Sequence, residues 1–180
     1  MDDVTELLQR ASAGDEASLG AVFSRLYAEL RQIAAARLRG SEATLTPTVL
    51  VHEAFLRLCS GEPLALAGRK HFYATAAQAM RWIIVDHARR ALAGRRGGDL
   101  VRVELDEAQP AAMTPESVLA LDAALEALGR IDPARRELVE LRWFAGLEYA
   151  EMAELLGRSE RTLKREWAAA RAALITLMGE

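Results

Sequence analysis

Apolar residues recur along this chain at spacings of three and four and nowhere alternate with polar ones, a pattern that predicts helices and no strand. Val4, Leu7, Leu8 and Ala11 make a short first stripe, broken near Gly14. Asp15 can then cap a longer helix whose stripe is Leu19, Val22, Phe23, Leu26, Leu30, Ile33 and Ala34, with a loop after it over 39–44. Thr46-Pro47 opens a third helix, with a capping hydroxyl and a proline in the first turn, and Val49, Leu50, Ala54, Phe55 and Leu58 can pack inward. Gly61, Pro63 and Gly68 mark 59–70 as a loop. The longest pattern of the first half runs from 71 to about 93. It places Ala76, Met80, Ile83, Ile84, His87 and Ala91 on one face and Gln78, Arg81, Trp82, Val85 and Arg89 on the other.

Periodicity then lapses. Residues 99–114 hold Pro110 and three acids after Asp99, and they read as a linker between two domains. Thr114-Pro115 restarts the chain into a helix with Val118, Leu121, Leu125 and Leu128 on one side, and Asp132-Pro133 starts another over 135–144, with Leu138, Leu141 and Trp143 or Phe144 inward. Gly146 closes it. Within 147–171, Tyr149, Met152, Ala153, Leu155 and Leu156 form one stripe, Gly157 supplies a left-handed turn, and Ser159 can cap the last helix. In that helix Leu163, Trp167, Ala170, Leu174 and Leu177 form an apolar back, while Glu160, Arg161, Lys164, Arg165, Ala168 and Arg171 form the front. Two helices around a tight glycine turn, the second with a cationic front, spell a helix-turn-helix whose front fits the major groove of DNA.

Charge sharpens this picture. The 180 residues carry a net charge of −3, but residues 69–98 hold seven basic side chains and one acidic, and residues 158–171 hold five basic and two acidic. Between them, residues 99–157 hold thirteen acids and five bases. Two cationic blocks separated by an acidic one imply two nucleic-acid surfaces, because local phosphate neutralisation rather than net charge drives binding. Trp82, set among polar and cationic groups, suits stacking on an unpaired base. A hydrophobic fraction of 51% with 27% charged residues is that of a globular chain. No apolar run is long enough to span a bilayer and the first residues are acidic, so a cytoplasmic location is expected, with no membrane partner. The single Cys59, at the end of an apolar helical pattern, is expected in the core.

Enzymatic chemistry finds no foothold. His52, His71 and His87 offer no triad spacing, there is no glycine-rich phosphate loop, and His87 reads as a hydrogen-bonded core histidine. His52 and Glu53 are adjacent, but no second histidine lies four residues on, as metal-binding helices require. No catalytic residue, metal or cofactor is therefore expected.

The segments TPTVLVHEAFLRL (46–58), FYATAAQAMRWIIVDHARR (72–90) and LVELRWFAGLEYAEMAELLGRSERTLKREWAAARAAL (138–174) together resemble the ECF class of bacterial RNA polymerase sigma factors, in the right order over nearly the whole chain. The resemblance implies an all-α protein of two small helical domains: sigma region two over 1–98, an acidic linker over 99–114, and sigma region four over 115–180. It further implies that Val49, His52, Glu53, Phe55 and Leu56 dock on core RNA polymerase. Arg69, Lys70, Arg81, Trp82, Arg89, Arg90, Arg95 and Arg96 would engage promoter DNA around the minus-ten element. Ser159, Glu160, Arg161, Thr162, Lys164 and Arg165 would read the minus-thirty-five element, with the linker in the RNA exit channel.

One departure stands out. Such factors usually carry acids just before the polymerase-binding helix, whereas here Thr44, Thr46 and Thr48 occupy a stretch with no acid between Glu42 and Glu53. Phosphorylation of these threonines by a Ser/Thr kinase would supply the missing negative charge; an anti-sigma factor is the other regulator the resemblance admits. The rival functional reading is a stand-alone helix-turn-helix transcriptional regulator with an N-terminal sensor domain. A sensor has no need of seven cations and a polar-facing tryptophan.

Overall fold

The computed structural model describes residues 3–38, 45–59, 69–94 and 114–179, and these residues are all-α. The helices are α1 (Asp3–Ser12), α2 (Glu16–Arg37), α3 (Pro47–Cys59), α4 (Arg69–Ala93), α5 (Pro115–Ile131), α6 (Pro133–Val139), α7 (Tyr149–Leu156) and α8 (Glu160–Gly179). Alpha-6 runs on into a π-helical turn, Glu140–Phe144. None of the described helices is long and apolar enough to cross a membrane.

The starts are fixed by the side chains that the sequence offers. Asp15 accepts from the Ser18 backbone N–H at 3.2 Å and from its hydroxyl at 2.7 Å. The Ser18 hydroxyl, with Arg10 beside it, holds the Asp15 carboxyl below its ordinary value. Thr46 accepts from Val49 N–H at 3.2 Å, Thr114 from Ser117 N–H at 3.2 Å, and Asp132 from Arg135 N–H at 3.0 Å. A proline comes directly after each of these last three caps, where its missing N–H costs nothing.

Helices α1 to α3 pack around one side of α4, while α5, α6 and the π turn gather on its other side with α8 and α7 beyond. This explains the largest departure from the sequence pattern. Phe72, Tyr73, Ala76, Ala77, Ala79, Met80, Arg81, Ile83, Ile84, Val85 and Ala88 are all buried, so α4 is covered on most of its circumference rather than along one stripe. Arg81 and Val85, expected opposite the apolar face, lie inside; Ala91, expected inward, is exposed. The buried apolar residues form one continuous cluster from Leu8 to Leu174. Gly146, at φ +67°, crosses so close to α2 that a Cβ there would lie 2.5 Å from Ile33 Cγ1.

Three smaller expectations also change. Val49 is exposed rather than packed inward, because the second position after Pro47 points away from α2 and α4. Cys59 is exposed at the last position of α3 rather than in the core; desolvation by the neighbouring chain, then the Glu16 carboxylate, pushes its thiol up. His87 is half-buried, and its Nε2 makes no hydrogen bond, with the Glu53 carboxylate 3.7 Å away.

Candidate nucleic-acid and polymerase interface

The C-terminal surface is assembled by a turn and a cap. Gly157 takes φ +64° to end α7, and the Ser159 hydroxyl accepts from Thr162 N–H at 3.2 Å to begin α8. Leu163, Trp167, Ala170 and Leu174 anchor α8 to the core. That orientation leaves Ser159, Glu160, Arg161, Lys164 and Arg165 exposed together with half-buried Thr162, so all six residues expected on the recognition helix share its first turns. Lys164 reaches Glu160 at 3.3 Å and hangs 5.3 Å from the Tyr149 ring centre. Arg158 is drawn aside by Glu166 at 2.9 Å. Arg161 and Arg165 make no ion pair or hydrogen bond among the described residues and point their guanidinium groups to solvent. Such groups keep their full capacity for bidentate contact with guanine edges or phosphates.

The N-terminal surface spans α3 and α4. Val49, His52 and Leu56 fall at helical spacing on the open side of α3, and Leu56 is 61% exposed. Exposed aliphatic side chains in register on one helix form an apolar strip suited to a partner helix. Glu53 flanks the strip; Phe55 turns partly inward, edge-on to Phe23 with ring centres 4.7 Å apart. Trp82 is 52% exposed beside this strip, and the Arg57 guanidinium lies 4.2 Å from its ring centre. The sequence does not single out Arg57. Its signal is present, since 57 lies two turns beyond Val49 on the same helix, but nothing in the sequence ties it to a residue twenty-five positions later.

The remaining cations of α4 fare differently. Lys70 pairs with Glu137 at 3.3 Å, Arg89 lies 3.6 Å from Asp122, and Arg90 pairs with Asp86 one turn back. Arg81 is 3% exposed. Its Nε donates to Asp122 Oδ1 at 2.9 Å, and its Nη2 donates to the same carboxylate at 2.6 Å, to the Asp122 carbonyl at 3.1 Å and to Glu126 at 2.8 Å. Its Nη1 donates to Glu140 at 2.7 Å. Burial alone would push the guanidinium down, but hydrogen bonds to Asp122 and Glu140 outweigh it and hold the group above its ordinary value. Arg81 thus faces protein carboxylates, not an open surface. In the sequence, Asp122, Glu126 and Glu140 stand out only as part of an acidic block; the i, i+4 spacing of the first two on α5 is the signal that they act together.

Arg95, Arg96, Thr44, the side chain of Arg69 and the linker 99–113 lie outside the described residues. Thr46 spends its hydroxyl on the α3 cap and Thr48 is half-buried. Among the described residues no cluster of His, Cys, Asp and Glu could hold a metal ion.

The sequence profile described as "ECF sigma factor" matches residues 1–178. The ECF RNA polymerase sigma factor BldN of Streptomyces coelicolor is 26% identical over 163 residues, covering 88% of this chain and 60% of its own length. The chain therefore spans about three fifths of that relative. No solved structure matches.

Proposed function

The chain belongs to the ECF sigma factor family, and on that premise we propose that it binds core RNA polymerase and directs promoter recognition, strand opening and initiation of transcription. The observation that carries this reading is the pairing, on one chain, of an apolar strip at Val49, His52 and Leu56 with a separate helix that offers Arg161 and Arg165 to solvent. A polymerase-bound specificity subunit needs both a protein-docking face and a duplex-reading face. In this reading residues 1–98 dock on polymerase through Val49, His52, Glu53, Phe55 and Leu56. They engage the minus-ten element through Trp82, Lys70, Arg69, Arg81, Arg89, Arg90, Arg95 and Arg96. Residues 115–180 read the minus-thirty-five element with the start of α8, and 99–114 join the two.

The chemistry of the two faces differs. Arg161 and Arg165 supply bidentate donors to intact base pairs, and Lys164 a point charge to phosphate. Trp82 supplies a flat ring beside a cation, on which a base leaving the stack recovers part of the few kcal/mol lost on flipping. Thr46 and Thr48 stand at the start of the docking helix, where a phosphate would add negative charge against the positive helix end. Core affinity of Thr→Glu variants at 44, 46 and 48 tests that regulation, and tight binding by the unmodified chain retires it.

The test of the whole reading is transcription with purified core polymerase. Addition of this chain yields promoter-dependent transcripts that core alone does not make, and transcripts indistinguishable from core alone overturn the proposal.

A further inference from the structure

Arg81 couples the two halves of the molecule through five hydrogen bonds to residues forty-one to fifty-nine positions away. It does not act alone. Lys70–Glu137 and Arg89–Asp122 flank it along α4, so three cations of the first half meet the acidic edge of the second at three levels of one helix. The apolar seam continues the contact where Gly146 rests on Ile33 and where Leu26, Leu30 and Tyr73 line a cleft with Leu147. These are the cations that would otherwise face phosphate, and the carboxylates meet Arg81 at distances and with multiplicity that a phosphodiester would offer.

We propose that the acidic edge formed by Asp122, Glu126 and Glu140 is an intramolecular interaction surface that occupies Arg81 in place of nucleic-acid phosphate, so that the free chain is closed and this side of α4 reaches DNA only when the two helical sets part. The proposal rests on the functional reading in which α4 engages promoter DNA.

Two features make the closure reversible. A buried guanidinium–carboxylate cluster contributes little net stability, because desolvation consumes most of its attraction. The acids also keep a partner on opening. Arg136 Nε already lies 3.0 Å from Glu140, and its Nη2 lies 3.2 Å from Glu126. When Arg81 leaves for a phosphate, Glu126 and Glu140 stay compensated by Arg136, and Asp122 returns to water, where one fifth of its side chain is already exposed. The cluster exchanges one polyanion for another rather than stranding a charge.

The experiment uses the full chain without polymerase. Small-angle scattering should give a wild-type radius of gyration near the roughly 16 Å of a compact chain of this length. The isosteric variant Asp122→Asn with Glu140→Gln should expand it and tighten binding to a promoter duplex about tenfold at fixed salt, one such factor being about 1.4 kcal/mol. Removing two acids strengthens any DNA binding by general electrostatics, so Glu6→Gln with Glu16→Gln, far from the seam, carries the same change in charge and should leave the dimensions unaltered and the affinity well below the first variant. If the first variant is not folded by circular dichroism, Glu126→Gln with Glu137→Gln, at half-exposed positions, should shift both readouts in the same direction by a smaller factor. A wild-type chain already extended, or seam and control variants that behave alike, overturns the proposal. Transcription with core polymerase is read in parallel. An intact transcript with no closure retires the latch alone, whereas closure without a transcript retires the functional reading and leaves the latch as a contact of unknown purpose.

Discussion

Helices α4 and α8 carry similar cationic lettering and meet opposite fates. Alpha-8 is anchored by one apolar stripe, so Arg161 and Arg165 point outward and reach no acid among the described residues. Alpha-4 is apolar on most of its circumference, so helices close on it from both sides and Arg81 is carried inside, where only a cage of acids makes its burial tolerable. What separates a recognition arginine from a structural one is therefore the width of the apolar surface around it, not the arginine or its charged neighbours in sequence.

The largest effect that could break this contrast is on stability. Arg81→Ala leaves Asp122 and Glu140 short of a partner in a partly dry site; Arg136 offsets part of the loss, so about 2 kcal/mol is expected from urea unfolding. Arg165→Ala should change unfolding by less than about 0.5 kcal/mol, as an exposed position does. A similar loss at both sites would erase the distinction between the two helices. On DNA the order reverses for α8: Arg161→Ala or Arg165→Ala should cost roughly 1–3 kcal/mol in upstream promoter recognition, measured by competition between matched and mutated promoters. Unchanged promoter choice in both variants removes α8 from the recognition role. Trp82→Ala should slow strand opening, tracked by fluorescence of a base analogue, by an amount equivalent to about 1–3 kcal/mol of stacking, while duplex affinity stays near wild type. Equal losses in both would make Trp82 an ordinary contact. Smallest is Ser159→Ala, which removes the α8 cap and should lower stability by about 1 kcal/mol or less without altering the α4 side.

The terminal chemistry of the helices is legible in the sequence. Asp15, Thr46, Thr114, Asp132, Gly157 and Ser159 all act where the sequence puts them, because a cap depends on residues three positions apart. The α8 face is legible for the same reason of short range. The π turn after α6 is not, since it carries no sequence mark and is held by long backbone bonds such as Leu147 N–H to the Leu141 carbonyl at 3.1 Å. Arg81 escapes a sequence reading because a lone arginine is a surface residue by default, and its partners lie in a stretch whose acidity already has an explanation. Cys59 departs from its expected place by a single residue of register at a helix end. The assignment of docking and minus-ten roles to α3 and α4 comes from resemblance; neither periodicity nor charge distinguishes a polymerase-facing strip from any other apolar one.

Gly146 turns the seam into a prohibition. Its backbone already sits where a side chain is strained, and the first atom of any side chain would fall on the branched carbons of Ile33, which a stiff β-branched residue cannot swing aside. A single methyl group at this position is a wedge. It would prise the second half of the molecule off α2 while leaving every charge in place.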